Sequence, residues 1–281
     1  MKPNSISPRA IALTALLGAA LYAVSGESGG PSYDRYGRLA AYPGKEAAAC
    51  PAQDARTAVI LASGQSNIAN HAEAPARTAF PGRVFGFYDG ECAPAASPLL
   101  GGTNLGGEWL TLLGDALIRS GRYDRVVLVP ASVGGQPIFR FAEGDLGEML
   151  DETAKRVSAR YRVTHVIWHQ GESDYADETE PDAYRAMFLK IVGRLRAKGI
   201  DAPVFVSVAT YCAPMRDWKN GNAIQAAQRA LPDEKLGLWP GVDSDAFDPK
   251  TSRSDNCHFS AAGQARMAEA QAKVILDHAP R

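Results

Sequence analysis

Four stretches of the chain, residues 57–63, 125–131, 164–169 and 203–209, are short, β-branched and apolar almost throughout. A strand wetted on one face alternates apolar and polar positions, whereas one covered on both faces reads as a continuous apolar run. These runs therefore predict strands of a buried, mostly parallel sheet, with 83–88 and 236–239 as weaker strand candidates. Between them, apolar residues spaced three and four apart predict helices near 108–120, 146–161, 182–198, 222–230 and 261–278. Alternating strands and helices imply right-handed crossovers with helices on both faces of the sheet. The expected fold class is α/β: a three-layer α/β/α sandwich around a mostly parallel sheet. Such sheets bind ligands beyond the carboxyl ends of their strands, so the polar residues that follow each strand are where chemistry is expected.

The N-terminus does not belong to that pattern. Lys2 and Arg9 precede an apolar run over 10–24, and small residues follow at 25–30. A basic start, a short apolar stretch and a small-residue zone make a secretory signal. The run is shorter than the ~20 residues that comfortably span a bilayer. Cleavage near Ala23-Val24-Ser25 is expected, with an uncleaved anchor as the second reading. The chain thus divides into a signal peptide or anchor over 1–25, an irregular Gly/Pro/Tyr-containing lead-in over 26–56 and the α/β domain over 57–281. Thirty Lys and Arg against 31 Asp and Glu leave a net charge of −1. That balance supplies no electrostatic attraction to nucleic acid or to an anionic membrane.

Cys50, Cys92, Cys212 and Cys257 form an even set with no Cys-x-x-Cys pair. In an exported chain this composition favours two disulfides over a zinc or redox site. Cys212 follows the strand at 203–209, on the rim where Cys257 is also expected. Strand-end geometry therefore favours Cys212–Cys257, leaving Cys50–Cys92 to pin the lead-in, among the three pairings four cysteines allow.

Four polar segments carry the candidate chemistry. The first strand runs into Gly64-Gln65-Ser66-Asn67, where a glycine turn can project a serine hydroxyl into a cleft. The second is followed by Ser132-Val133-Gly134-Gly135-Gln136, whose glycines can expose the backbone N–H groups that an oxyanion hole needs. The third delivers His169-Gln170-Gly171-Glu172-Ser173-Asp174. Near the C-terminus, Asp255-Asn256-Cys257-His258 precedes the last helix. Residues three apart in a turn can face one way. The Asp255 carboxylate can then accept from the His258 ring, fix its tautomer and leave the other nitrogen as a base for a hydroxyl nucleophile. Asp243, Asp245 and Asp248 remain alternatives for the carboxylate, and Ser132 and Ser173 for the nucleophile. The chain contains no Gly-x-Ser-x-Gly elbow, which argues against the α/β-hydrolase family. His169 should point away from Gln170 on an alternating strand, and with His165 it finds no third metal ligand. No metal or cofactor is expected. Trp218, in a polar loop, is the best tryptophan for stacking on a sugar ring.

With these segments together, the chain resembles the SGNH (GDSL-like) hydrolase superfamily, and within it the sialate O-acetylesterase-like branch of carbohydrate esterases. Trp168-His169-Gln170-Gly171-Glu172-Ser173-Asp174 is the most specific match, and the matching blocks span residues 59 to about 275. The resemblance implies a flavodoxin-like α/β/α fold and deacetylation through an acyl-enzyme. It also implies Ser66 as nucleophile, with His258 and Asp255 as its partners. The oxyanion donors it implies are the Ser66 N–H, a second-block glycine and Gln170, which stands where the wider superfamily usually has Asn. Gly135 is favoured as that glycine, with Gly134 next and Gly101-Gly102 and Gly106-Gly107 as alternatives. Gln65, Asn67, Gly134 and Glu172 are expected to bind substrate or support the site. The expected partner is an acetylated carbohydrate. A glycan O-acetyltransferase, a lipase- or thioesterase-like hydrolase and an inactive carbohydrate-binding protein are the competing functions.

Overall fold

All seven residues of the first apolar run, and Gly64 after it, are buried, and that run forms the middle of the sheet. The structure, a computed structural model, describes residues 29–278; the expected export segment over 1–25 lies outside them. The elements are β1 (Ser32–Tyr33), β2 (Leu39–Ala41), β3 (Thr57–Gly64), β4 (Val84–Tyr88), β5 (Glu91–Pro94), α1 (Leu110–Arg119), β6 (Arg125–Ser132), α2 (Ile138–Ala142), α3 (Asp145–Ser158), β7 (His165–His169), α4 (Glu172–Ala176), α5 (Pro181–Ala197), β8 (Val204–Val208), α6 (Ala223–Arg229), β9 (Leu238–Asp243), α7 (Pro249–Ser252) and α8 (Ala261–Asp277). Seven strands pair in the order β5-β4-β6-β3-β7-β8-β9. Every pairing is parallel except that of β4 with β5.

Alternate residues of β3 feed two separate cores. Val59 and Leu61 join the core under α2, α3, α5 and α6. Ala58, Ile60 and Ala62 join the core under α1 and α8. Period-two alternation with both faces apolar is what a strand between two helical layers requires. The three-layer fold expected from the sequence is thus present.

Besides the short helices α2, α4 and α7, which the pattern did not predict, two strand regions differ from the sequence expectation. Tyr88-Asp89-Gly90-Glu91 makes a tight hairpin, with Asp89 and Gly90 both at positive φ, and so adds the short antiparallel strand β5. Asp-Gly is a preferred pair for such a turn. The lead-in, read as irregular, contains the antiparallel pair β1–β2. It is docked on the sheet domain: Leu39 is fully buried and exchanges backbone hydrogen bonds with Gly101 and Gly102. Disulfides join Cys50 to Cys92 and Cys212 to Cys257, the pairing favoured from strand-end geometry.

Candidate active site

The ends of β3, β6 and β7 lie side by side, with Gly64 in register with Ser132 and with His169. Gly64 has φ +143°, and a Cβ there would fall on the His169 carbonyl. Only glycine lets β3 turn at that point, and the turn delivers Gln65, Ser66 and Asn67 onto the sheet rim as the start of a short 3-10 turn.

Asp255 and His258 are brought together. Asp255 Oδ1 accepts the backbone N–H of Cys257 (3.0 Å) and of His258 (2.7 Å), closing the turn that carries the histidine. The other oxygen, Oδ2, lies 2.8 Å from His258 Nδ1. An anionic acceptor there places the ring proton on Nδ1 and leaves Nε2 bare. Burial alone would raise the Asp255 carboxyl. The hydrogen bonds from the His258 ring and from the two N–H groups outweigh it and hold the carboxyl below its ordinary value. The alternative carboxylates are engaged elsewhere. Asp245 accepts from Thr210, Tyr211 and Gln225, Asp243 pairs with Arg229, and Asp248 caps the short helix α7.

Asn67, next to Ser66, clamps the histidine loop from outside. Its amide nitrogen donates to the Cys257 carbonyl (3.2 Å) and its oxygen accepts the Phe259 N–H (3.3 Å), so both neighbours of His258 are tied to the serine turn. Arg253, buried and unremarked in the sequence, donates to the same Cys257 carbonyl (3.1 Å) and packs 4.1 Å over the Phe259 ring. Among the described residues, neither the Ser66 hydroxyl nor His258 Nε2 is taken by another oxygen or nitrogen; Nε2 lies 4.0 Å from Cys257 Sγ.

The Gly134 N–H donates to Thr103 Oγ1 at 2.8 Å. The N–H groups of Ser66 and Gly135 have no protein acceptor among the described residues. Gly101 and Gly102 serve the lead-in, and Gly106 and Gly107 pair with Asn70 and Ala72 well before α1 begins. Gln170 is fully buried, and its Nε2 faces Asp174, the Gln136 carbonyl (3.1 Å) and Gln65 Oε1 (3.3 Å). Gln65 is itself buried and caps the start of α4 through Ser173 N–H (3.2 Å). Glu172 accepts from Asn67 at 2.8 Å, and burial pushes its carboxyl up to about 7. His169 is fully buried between the Trp109 and Phe259 rings, and burial lowers it to about 3. Trp218 is half-buried, edge-on to Tyr211, with its N–H given to Thr210. His71, which no sequence motif marks, stacks on His258.

A serine turn tied through Asn67 to the loop of an imidazole that a carboxylate orients, with free N–H donors at the next strand end, suits attack on an acyl carbon. Attack of that kind is the chemistry of carboxylic ester hydrolases. Residues 56–277 match the family described as carbohydrate esterase, sialic acid-specific acetylesterase, and the chain belongs to that family. No curated protein sequence is matched. Among solved structures, an Arabidopsis thaliana protein is similar at 18% identity and TM-score 0.63, over 79% of this chain and 98% of its own. A Clostridium thermocellum family 3 carbohydrate esterase is similar at 13% identity and TM-score 0.50, over 79% and 96%. A carbohydrate acetylesterase from Xanthomonas citri is similar at 18% identity and TM-score 0.49, over 78% and 55%. At these identities the likeness to the first two speaks for the fold alone.

Proposed function

We propose that the chain is a serine esterase that removes acetyl groups from the hydroxyls of a carbohydrate through an acyl-enzyme on Ser66. The observation that carries this reading is the Asp255–His258 pair at 2.8 Å, tied through Asn67 to the turn that bears Ser66. Ser66 Oγ attacks the acetyl carbonyl carbon while His258 Nε2 takes its proton, and Asp255 holds the imidazolium that forms. The carbonyl oxygen, now anionic, accepts from the Ser66 and Gly135 N–H groups, with the Gln170 amide as third donor. Collapse breaks the bond to the sugar oxygen, which leaves with the proton from His258. Water, deprotonated by His258, then attacks the acetyl-serine. Acetate departs and Ser66 recovers its proton.

Two disulfides suit an oxidising compartment, and with the basic-apolar-small N-terminal pattern they support export. The carbohydrate substrate follows from the family. The deciding experiment is Ser66→Ala assayed on p-nitrophenyl acetate and for acetate released from acetylated glycans. Loss of a triad nucleophile costs on the order of 10⁶ in kcat in the best-studied case. A folded Ser66→Ala protein with a tenth of wild-type turnover would sink the assignment. Acetyl appearing on an added sugar rather than in water would make the chain a transferase.

A further inference from the structure

His71 is the histidine at the site that the reaction does not use, yet its ring lies against the one that it does. The His71 and His258 centroids are 5.2 Å apart and the planes 27° from parallel. The contacts of His71 fix its protonation. Asn104 Oδ1 accepts the Leu105 N–H at 2.8 Å, so the amide nitrogen is the end that faces His71 Nδ1, at 3.2 Å. An amide nitrogen only donates. His71 Nδ1 must therefore accept, and the ring proton sits on Nε2, given to Thr103 Oγ1 at 3.1 Å. A second proton would set an N–H against the Asn104 amide hydrogens. Burial, followed by the charge of His258, pulls His71 down to about 4, with Asp255 opposing. These are the two titratable groups that face the ring, and His71 stays neutral at physiological pH.

Asp255 holds the His258 ring itself by one edge. The Asp255 side chain is 56% exposed, and an ion pair so wetted is weak. On the face of the ring His71 is set firmly. Thr103 Oγ1, which takes its Nε2–H, also takes the Gly134 N–H, and a Cβ on Gly134 would lie 2.6 Å from His71 Nε2. Ring, threonine and glycine loop interlock.

We propose that His71 is a positioning residue: a neutral aromatic plate that backs the His258 ring and favours the imidazolium formed when Ser66 gives up its proton. This rests on the reading of His258 as the base. A cation over an aromatic face within about 6 Å is stabilised enough to change a rate by roughly tenfold. Because the benefit grows as charge develops, it belongs in kcat rather than KM.

The experiment is steady-state hydrolysis of p-nitrophenyl acetate by His71→Ala, His71→Leu and His71→Phe, beside His258→Ala. The alanine variant should lose roughly tenfold in kcat with KM nearly unchanged. Phenylalanine, which keeps the stacked face, should recover most of that loss, and leucine, of similar bulk without a π face, only a part. Wild-type kcat in His71→Ala, a rise in KM at constant kcat, or equal kcat in the leucine and phenylalanine variants would each overturn the proposal. If His71→Ala does not fold, the leucine–phenylalanine comparison still decides it. An active His258→Ala protein would instead remove the base assignment itself.

Discussion

The Gln170 amide has two N–H groups and three acceptors around it: Asp174, the Gln136 carbonyl and Gln65 Oε1. Its contact with Gln136, the residue after Gly135, keeps it on the side of the site where the oxyanion is expected. To serve that oxyanion it must release one of the weaker acceptors as negative charge develops. Gln170→Ala should then lower kcat by roughly 10²–10³ and leave KM nearly unchanged. A large rise in KM at constant kcat would make Gln170 a substrate-binding group. At this scale Ser66, Asp255 and His258 were legible in the sequence because local spacing is enough to suggest them: a glycine turn after a strand, and a carboxylate three residues before an imidazole. His71, Thr103 and Arg253 were not. Each acts through a neighbour distant in sequence, such as His71 against His258 and Arg253 against the ring of Tyr211, and no spacing rule reaches that far.

The loop from Arg253 to Phe259 carries the candidate base and its carboxylate. Arg253, Cys257 and Phe259 are buried, whereas Ser254, Asp255 and Asn256 are exposed. Anchors therefore sit at its ends and at Cys257, which is bonded to Cys212 across 45 residues of sequence. In the chain-entropy model closing a loop of that length contributes roughly 4 kcal/mol, the mechanism being model-dependent. Replacing both cysteines by serine should lower unfolding free energy by up to about that amount. It should also reduce esterase activity at temperatures where the far-UV dichroism of the sheet is intact, because exposed loops open before buried strands. Wild-type activity in a folded double variant would show that Asn67 and Arg253 hold the loop unaided. Long elements such as β3, β6 and α5 were legible because burial repeats along them. The five-residue helices α2 and α4 were not, since their first turns are satisfied by side chains from other segments. Asp174 accepts the Ile138 N–H at 2.8 Å, and Gln65 accepts the Ser173 N–H at 3.2 Å.

Across the whole molecule, burial of titratable groups around the sheet sets how stability responds to pH. His71 and His165 are lowered to about 4 and His169 to about 3, in each case chiefly by burial. A histidine depressed in the fold binds its proton first in the unfolded chain. Its contribution is therefore complete above the unfolded value of about 6.5 and is lost as pH falls toward the folded value. Glu172 acts in the opposite sense. Burial raises it from 4.5 to about 7, so the folded state holds the extra proton. Its contribution is complete below 4.5 and is lost as pH rises to about 7. Burial also raises the carboxyls of Glu108, Asp174 and Asp245, which act in the same sense as Glu172, so the contribution of one group is read from the change on its substitution. Each proton is worth at most about 1.4 kcal/mol per pH unit. His169 is the cleanest group to remove, because neither ring nitrogen has a partner among the described residues. In urea unfolding at stepped pH, His169→Leu should make the acid-side decline shallower by about one proton. Glu172→Gln should make it steeper, since one of the groups that offset the histidines is gone. Profiles parallel to wild type in both variants would mean that these two buried groups do not couple folding to pH.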